Sequence, residues 1–277
     1  MAPSVILFLV FFAVPLLTSL YYSFTQFDVL TAPKWSGLQN YQMLLKDKHF
    51  WQAGRNVLIW AIGTIPTGII IGVGIAYLLN QNIRGKRLYQ LFYYLPVISM
   101  TVAVLVLWKW IYHRDFGLLN SLLARFGVSK VDWLGTEWVA LGSVMLTSLW
   151  RSASAYMVVF LAGLQAIPGS FYEAAELDGA GRWQQFWRIT MPLLSPSIFF
   201  VLVMNMVNVF QVFDEIYVLT GGGPYRSTET FVYHIWHNAF KVFKLGYASA
   251  QAWVLFAMVG LITVLNFYLQ KRWVHYD

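Results

Sequence analysis

Long apolar runs separated by short polar segments dominate the chain. A helix needs roughly 20 apolar residues to cross a bilayer core about 30 Å thick, because lipid offers the backbone no hydrogen-bond partner. Six stretches supply that length: Pro3 to Phe24, Val57 to Leu79, Leu91 to Tyr112, Val139 to Leu164, Leu194 to Leu219 and Ala248 to Leu269. The second is the most uniformly apolar, and the third carries only Lys109 near its end. The fourth contains Arg151, and the fifth ends in Asp214 and Glu215. The pattern predicts an all-α integral membrane protein forming a single domain over residues 1–277.

Composition agrees: 58% of residues are hydrophobic, 11% are charged and the mean hydropathy is +0.58, outside the range of soluble domains. The chain has no cysteine, which excludes disulfides and thiolate metal sites, and its five histidines form no metal-binding spacing. A net charge of +7 is accounted for by loops flanking membrane segments and gives no reason to invoke nucleic acid. No basic stretch precedes the first apolar run, so it is expected to be a span rather than a signal peptide. The short turn Gln81 to Gln90 carries Arg84, Lys86 and Arg87, which favours the cytoplasm, and Arg182, Arg188, Lys271 and Arg272 share its side. The opposite loops hold more basic residues in total, so charge determines the topology only weakly.

Aromatic residues near segment ends, including Phe92 to Tyr94, Trp108, Trp110, Tyr112, Phe267, Tyr268 and Trp273, read as interfacial anchors. Gly68 and Gly72 in the second span form a small-residue seam that permits close helix packing. Pro15, Pro66 and Pro96 each remove an amide donor and are expected to bend their helices.

Between the fourth and fifth spans lies a polar island, residues 169–192. Ser170 followed by Glu173 has capping-box spacing, which predicts a helix starting at Phe171 and stopping at Asp178-Gly179. Ala180 to Thr190 predicts a second short helix with Trp183, Phe186 and Trp187 on one side, and Pro192 restrains entry into the fifth span. By itself this segment reads either as an interfacial elbow or as a compact docking knob.

Its spacing, EAA at Glu173 to Ala175, then Gly179, then Ile189 and Pro192, resembles the signature of bacterial ABC-importer permeases. The likeness extends to YLPVIS at Tyr94 to Ser99, AGLQAIP at Ala162 to Pro168, TGGGP at Thr220 to Pro224 and GYASA at Gly246 to Ala250. These motifs are similar to carbohydrate-uptake permeases of the maltose, lactose and glycerol-3-phosphate type. Met191 replaces the usual leucine, a mild swap, and the usual basic tail before the first span is not present in this sequence. The resemblance implies a type I importer fold of six transmembrane helices in the bacterial cytoplasmic membrane, with both termini cytoplasmic. It implies partners as well: a second homologous permease, a cytoplasmic ATPase dimer that binds the ATP and Mg, and an extracytoplasmic solute-binding protein. It further implies that Glu173, Ala174, Ala175, Asp178 and Gly179 dock the ATPase.

Asn205, Asn208, Gln211 and Glu215 recur at three- to four-residue intervals along the fifth span, with Asp214 beside them. Polar groups in a span face a bundle interior or a water-filled path, so the stripe is either interhelical bonding or a solute pathway. Resemblance adds Trp150 and Tyr156 of the fourth span as carbohydrate-facing aromatics, while Arg151 either pairs with Asp214 or Glu215 or snorkels outward. No phosphate-binding loop occurs, so the chain is not read as an enzyme and holds no cofactor of its own. The rival readings are an ion-coupled secondary carrier, which calls for midplane acids and inverted repeats, and a membrane enzyme, which calls for convergent acids or histidines.

Overall fold

A computed structural model describes residues 2–81, 83–271 and 274; Asn82, Arg272 and Trp273 lie outside them. Among the described residues, five helices are long and apolar enough to cross a membrane: Pro3–Ser23, Lys48–Asn80, Glu137–Gln165, Arg182–Phe210 and Leu245–Gln270. A bent pair, Lys86–Ile98 and Thr101–Ile111, is together apolar and long enough for a sixth crossing when counted as one broken third span. Among the described residues the fold is all-α apart from one antiparallel pair, Thr25–Gln26 with Lys34–Trp35, which the hydrophobic pattern does not predict.

The second span is longer than expected, 33 residues or about 50 Å. Asp47 extends it by accepting hydrogen bonds from the amides of His49 and Phe50, two of the donors a helix start leaves open. It packs along its length on the fourth span. Gly68 and Gly72 make that approach possible: a Cβ at Gly72 would sit 2.8 Å from Cβ of Tyr156, and one at Gly68 2.8 Å from its ring. The glycine seam therefore serves packing within the chain.

The third span departs from a single straight helix. Its two halves meet at 98°, and the break falls at Ser99 and Met100 instead of at Pro96. Pro96 removes one backbone bond upstream, while the Leu95 carbonyl accepts both the Ser99 amide at 3.1 Å and the Ser99 hydroxyl at 2.7 Å, so the helix closes at Ser99. Tyr112 is not an interfacial anchor. Only 1% exposed, it donates its hydroxyl to the Ser143 carbonyl at 2.8 Å, which makes a buried tyrosine acceptable.

The fifth span is displaced relative to expectation at both ends. It begins at Arg182 and ends at Phe210, because the backbone of Gln211 leaves the helix and Thr230 takes the freed Val212 carbonyl at 2.7 Å. Pro192 does not separate elbow from span: a π turn at Phe186–Thr190 widens the helix just ahead of it, and the rod runs on. A π turn at Leu9–Ala13 precedes Pro15 in the same way. The extra residue in each turn relieves the proline ring of its clash with the preceding turn.

Glycines on one helix face should respond differently from those on the other. Gly72→Leu is expected to cost about 1–3 kcal/mol through overpacking against Tyr156 and Phe160. Gly74, with nothing within 4 Å of an added Cβ, should tolerate Ala and gain up to about 1 kcal/mol. Thermal unfolding of the detergent-solubilised protein reads both; equal melting temperatures would refute the packing assignment.

Candidate functional site: a polar cavity and an exposed elbow

The two broken spans and the fourth span enclose a cavity of about 450 Å³. Asn205 and Asn208 reach it from the end of the fifth span, Gln211 from the residue that terminates that helix, and Glu215 from beyond the break. The stripe expected on one continuous helix face is thus corrected. Its four members line one cavity because the chain bends, and helical spacing is not what brings Glu215 there. Tyr156 of the fourth span donates its hydroxyl to Oδ1 of Asn205, while Nδ2 of Asn205 is buried without a hydrogen-bond partner. Trp150 is not among the residues lining this cavity; it is 43% exposed and stands edge-on to Trp108 at 5.6 Å. Arg151 pairs with Glu215, which decides between the alternatives left open for it. Thr64 and Ser148 also line the cavity, and single hydroxyls in apolar spans carry no signal that would have singled them out.

Past the break, Ile216–Thr220 forms a π turn that leads into Gly221 and Gly222, both at positive φ. An added Cβ at Gly222 would meet the Tyr233 ring at 2.8 Å, so only glycine fits there. Tyr233 bonds the Gly221 carbonyl at 2.8 Å, and Asn56 of the second span donates to the carbonyls of Arg226 and Glu229. The turn is a pinned structure rather than a loose loop. Beside it runs a charged chain absent from the sequence reading: Arg226 to Glu229, Glu229 to His234 at 2.8 Å, His234 to Asp47 at 3.4 Å. Burial raises the Asp47 carboxyl, but bonds from the Tyr247 hydroxyl and the His49 and Phe50 amides outweigh it and hold the group below its ordinary value. Separated in sequence by 187 residues, Asp47 and His234 carry no spacing by which they could have been paired.

At the other end of the fifth span, the helix Gly169–Leu177 carries Glu173, Ala174 and Ala175. Its start corrects the capping box. Pro168 is the N-cap, so Ser170 already lies within the first turn and makes no side-chain cap. The stop is as expected: Gly179 has φ +76, its amide bonds the Glu176 carbonyl, and the Ala180 amide reaches back to Ala175 at 2.9 Å. Asp178 precedes it as the last half-helical residue. Nothing lies within 4 Å of a Cβ at Gly179, so its requirement is conformational and not one of close contact. The Tyr172 hydroxyl meets Thr190 Oγ1 at 3.0 Å, and Phe186 packs edge-on against Tyr77 of the second span at 5.0 Å. Glu173, Ala174, Asp178 and Gly179 are exposed, and Trp183 and Leu177 stand out at 74% and 91%.

One rod thus joins a cavity amid the broken spans to an exposed elbow. Residues 64–274 match the model of the "binding-protein-dependent transport system inner membrane component" family. A probable ABC transporter permease, YesP of Bacillus subtilis strain 168, is 40% identical over all of this chain and 90% of its own length. UgpA of Yersinia pestis bv. Antiqua, an sn-glycerol-3-phosphate transport permease, is 34% identical over 99% of this chain and 94% of its own. SmoG of Agrobacterium fabrum, a sulfoquinovosyl glycerol transport permease, is 33% identical over 96% of this chain and 87% of its own. In fold, the chain overlays a subunit of a bacterial ABC transporter importing the acidic polysaccharide alginate, with TM-score 0.89, 23% identity and coverage of 98% and 93%. The chain belongs to the binding-protein-dependent inner-membrane permease family. It is a multi-pass, non-catalytic permease subunit of an ABC importer.

The elbow's geometry yields a local expectation. Gly179→Leu should cost about 1–2 kcal/mol from the left-handed backbone alone, with amide exchange at Gly179 and Ala180 quickened roughly tenfold. Gly181→Ala, at ordinary φ and in open space, should leave exchange unchanged. Equal exchange in both variants would contradict the conformational role.

Proposed function

We propose that the chain lines the solute path of an ATP-driven carbohydrate importer together with a second, homologous permease. A solute-binding protein delivers the solute from outside, and a cytoplasmic ATPase dimer docks on the elbow at Glu173, Ala174, Ala175, Asp178 and Gly179. The reading is carried by one observation, that the helix Arg182–Phe210 runs without interruption from the elbow to Asn205 and Asn208 in the cavity. Over 29 residues, about 43 Å, a displacement at one end must reach the other. Nucleotide-driven movement of the elbow tilts the rod, and the cavity changes the side it faces. Neutral amides with the Tyr156 hydroxyl suit a hydroxylated solute, since each group donates or accepts. Relatives named for glycerol phosphate and sulfoquinovosyl glycerol support the polyol and carbohydrate class.

Uptake in proteoliposomes of the complete complex tests the path. Asn208→Ala with Gln211→Ala removes two hydrogen-bonding groups, and about 0.5–1.5 kcal/mol for each predicts roughly tenfold weaker solute stimulation with assembly intact. Unaltered uptake of every oligosaccharide and of glycerol phosphate would exclude this face from the path. The topology has both termini cytoplasmic, with the elbow inside and the glycine turn outside. In intact cells a membrane-impermeant thiol reagent should then label Tyr225→Cys, a position 84% exposed, and spare Gln184→Cys. The reverse pattern would invert the orientation.

A further inference from the structure

One guanidinium ties together the two interrupted spans. Arg151, midway along the fourth span, places Nη1 3.4 Å from Oε1 of Glu215 and donates from Nη2 to Oγ1 of Thr101 at 2.9 Å. Thr101 is the first residue after the break in the third span, and Glu215 lies just beyond the end of the fifth. The pieces following these breaks also hold each other, since Lys109 Nζ donates to the Val218 carbonyl at 2.9 Å. Thr101–Ile111 and Ile216–Thr220 thus form one unit, fastened to the fourth span through Arg151.

The fastening is shielded but incomplete. The Arg151 and Glu215 side chains are 23% and 14% exposed, so removing either leaves a poorly solvated charge. Yet the pair is a single long contact where an arginine fork commonly makes two short ones. Nε of Arg151 is buried with no hydrogen-bond partner, as is Nδ2 of Asn205, and both residues line the same cavity. Two unsatisfied donors are a standing cost that a solute oxygen relieves. A ligand shifts a conformational equilibrium only through different affinities for the two states. A solute that bonds Nε and competes with Glu215 for the guanidinium has that difference built in.

We infer that Arg151 is the latch of a gate: it holds the Thr101–Ile111 and Ile216–Thr220 unit against the fourth span at rest, and solute releases it by taking its donors. The inference rests on the importer reading above. It assigns Arg151 and Thr101 a positioning role, with Glu215 as the exchangeable partner.

ATP hydrolysis by the reconstituted complex without binding protein reads the latch directly. Glu215→Gln, Arg151→Met and Thr101→Val should each raise this hydrolysis, about tenfold for the first two, the size of one typical coupling step. The exchange of Arg151→Glu with Glu215→Arg should return it towards the wild-type level. Thr101→Val, which alters one hydroxyl at nearly constant volume, keeps the test open should Arg151→Met fail to assemble. Wild-type hydrolysis in assembled Glu215→Gln and Thr101→Val complexes, with uptake reduced, would reduce Arg151 and Glu215 to solute contacts and overturn the latch. Failure of the importer reading looks different: the wild-type complex itself would show neither uptake nor stimulation by a binding protein.

Discussion

Hydrocarbon supplies no hydrogen bonds, so a chain in the membrane must satisfy its backbone from within, and the architecture follows from where that rule is relaxed. The first, second, fourth and sixth spans obey it as unbroken helices. The third is interrupted at Ser99–Met100, just past Val97 of the cavity lining, and the fifth at Gln211 to Phe213, which line the polar cavity themselves. Freed backbone and wet interior occur together because each requires the other. Thr230 completes the closure on the Val212 carbonyl, while the Ser99 hydroxyl adds a second bond to a Leu95 carbonyl that the Ser99 amide already holds.

Around this zone the remaining helices pack closely. Glycines at 68 and 72 let the second and fourth spans approach closely, with the Tyr156 and Phe160 side chains filling the seam. The second span continues outward to Asp47, where the carboxylate caps the helix and also joins the charged chain through His234 and Glu229 to Arg226. The glycine turn is therefore anchored to the same helix that packs on the cavity wall. At the opposite end, Phe186 rests on Tyr77 of that helix too. Both the outer turn and the elbow thus contact the same helix.

The elbow belongs to the fifth span more intimately than a hinged knob would. Pro192 normally marks a boundary, because it lacks a donor and collides with the turn before it. Here the π turn at Phe186–Thr190 absorbs the collision and preserves the rod. Trp183 and Leu177 stand exposed on the elbow.

The apolar runs alone determined that this is an all-α membrane protein with about six crossings, since crossing length and backbone closure are properties of local sequence. The glycine stop of the elbow was likewise legible, because positive φ at Gly179 is a local demand. The capping box failed by two residues, a shift that depends on how Pro168 leaves the fourth span. Helix periodicity put Gln211 and Glu215 on one face with Asn205, and the tertiary structure reached the same grouping by bending the chain. Trp150 next to Trp108, Arg151 between Thr101 and Glu215, and His234 between Glu229 and Asp47 were decided only by folding. Arg151 and its partners stand 50 and 64 residues apart and His234 and Asp47 187, and a pairing energy between distant side chains leaves no periodic trace in the sequence.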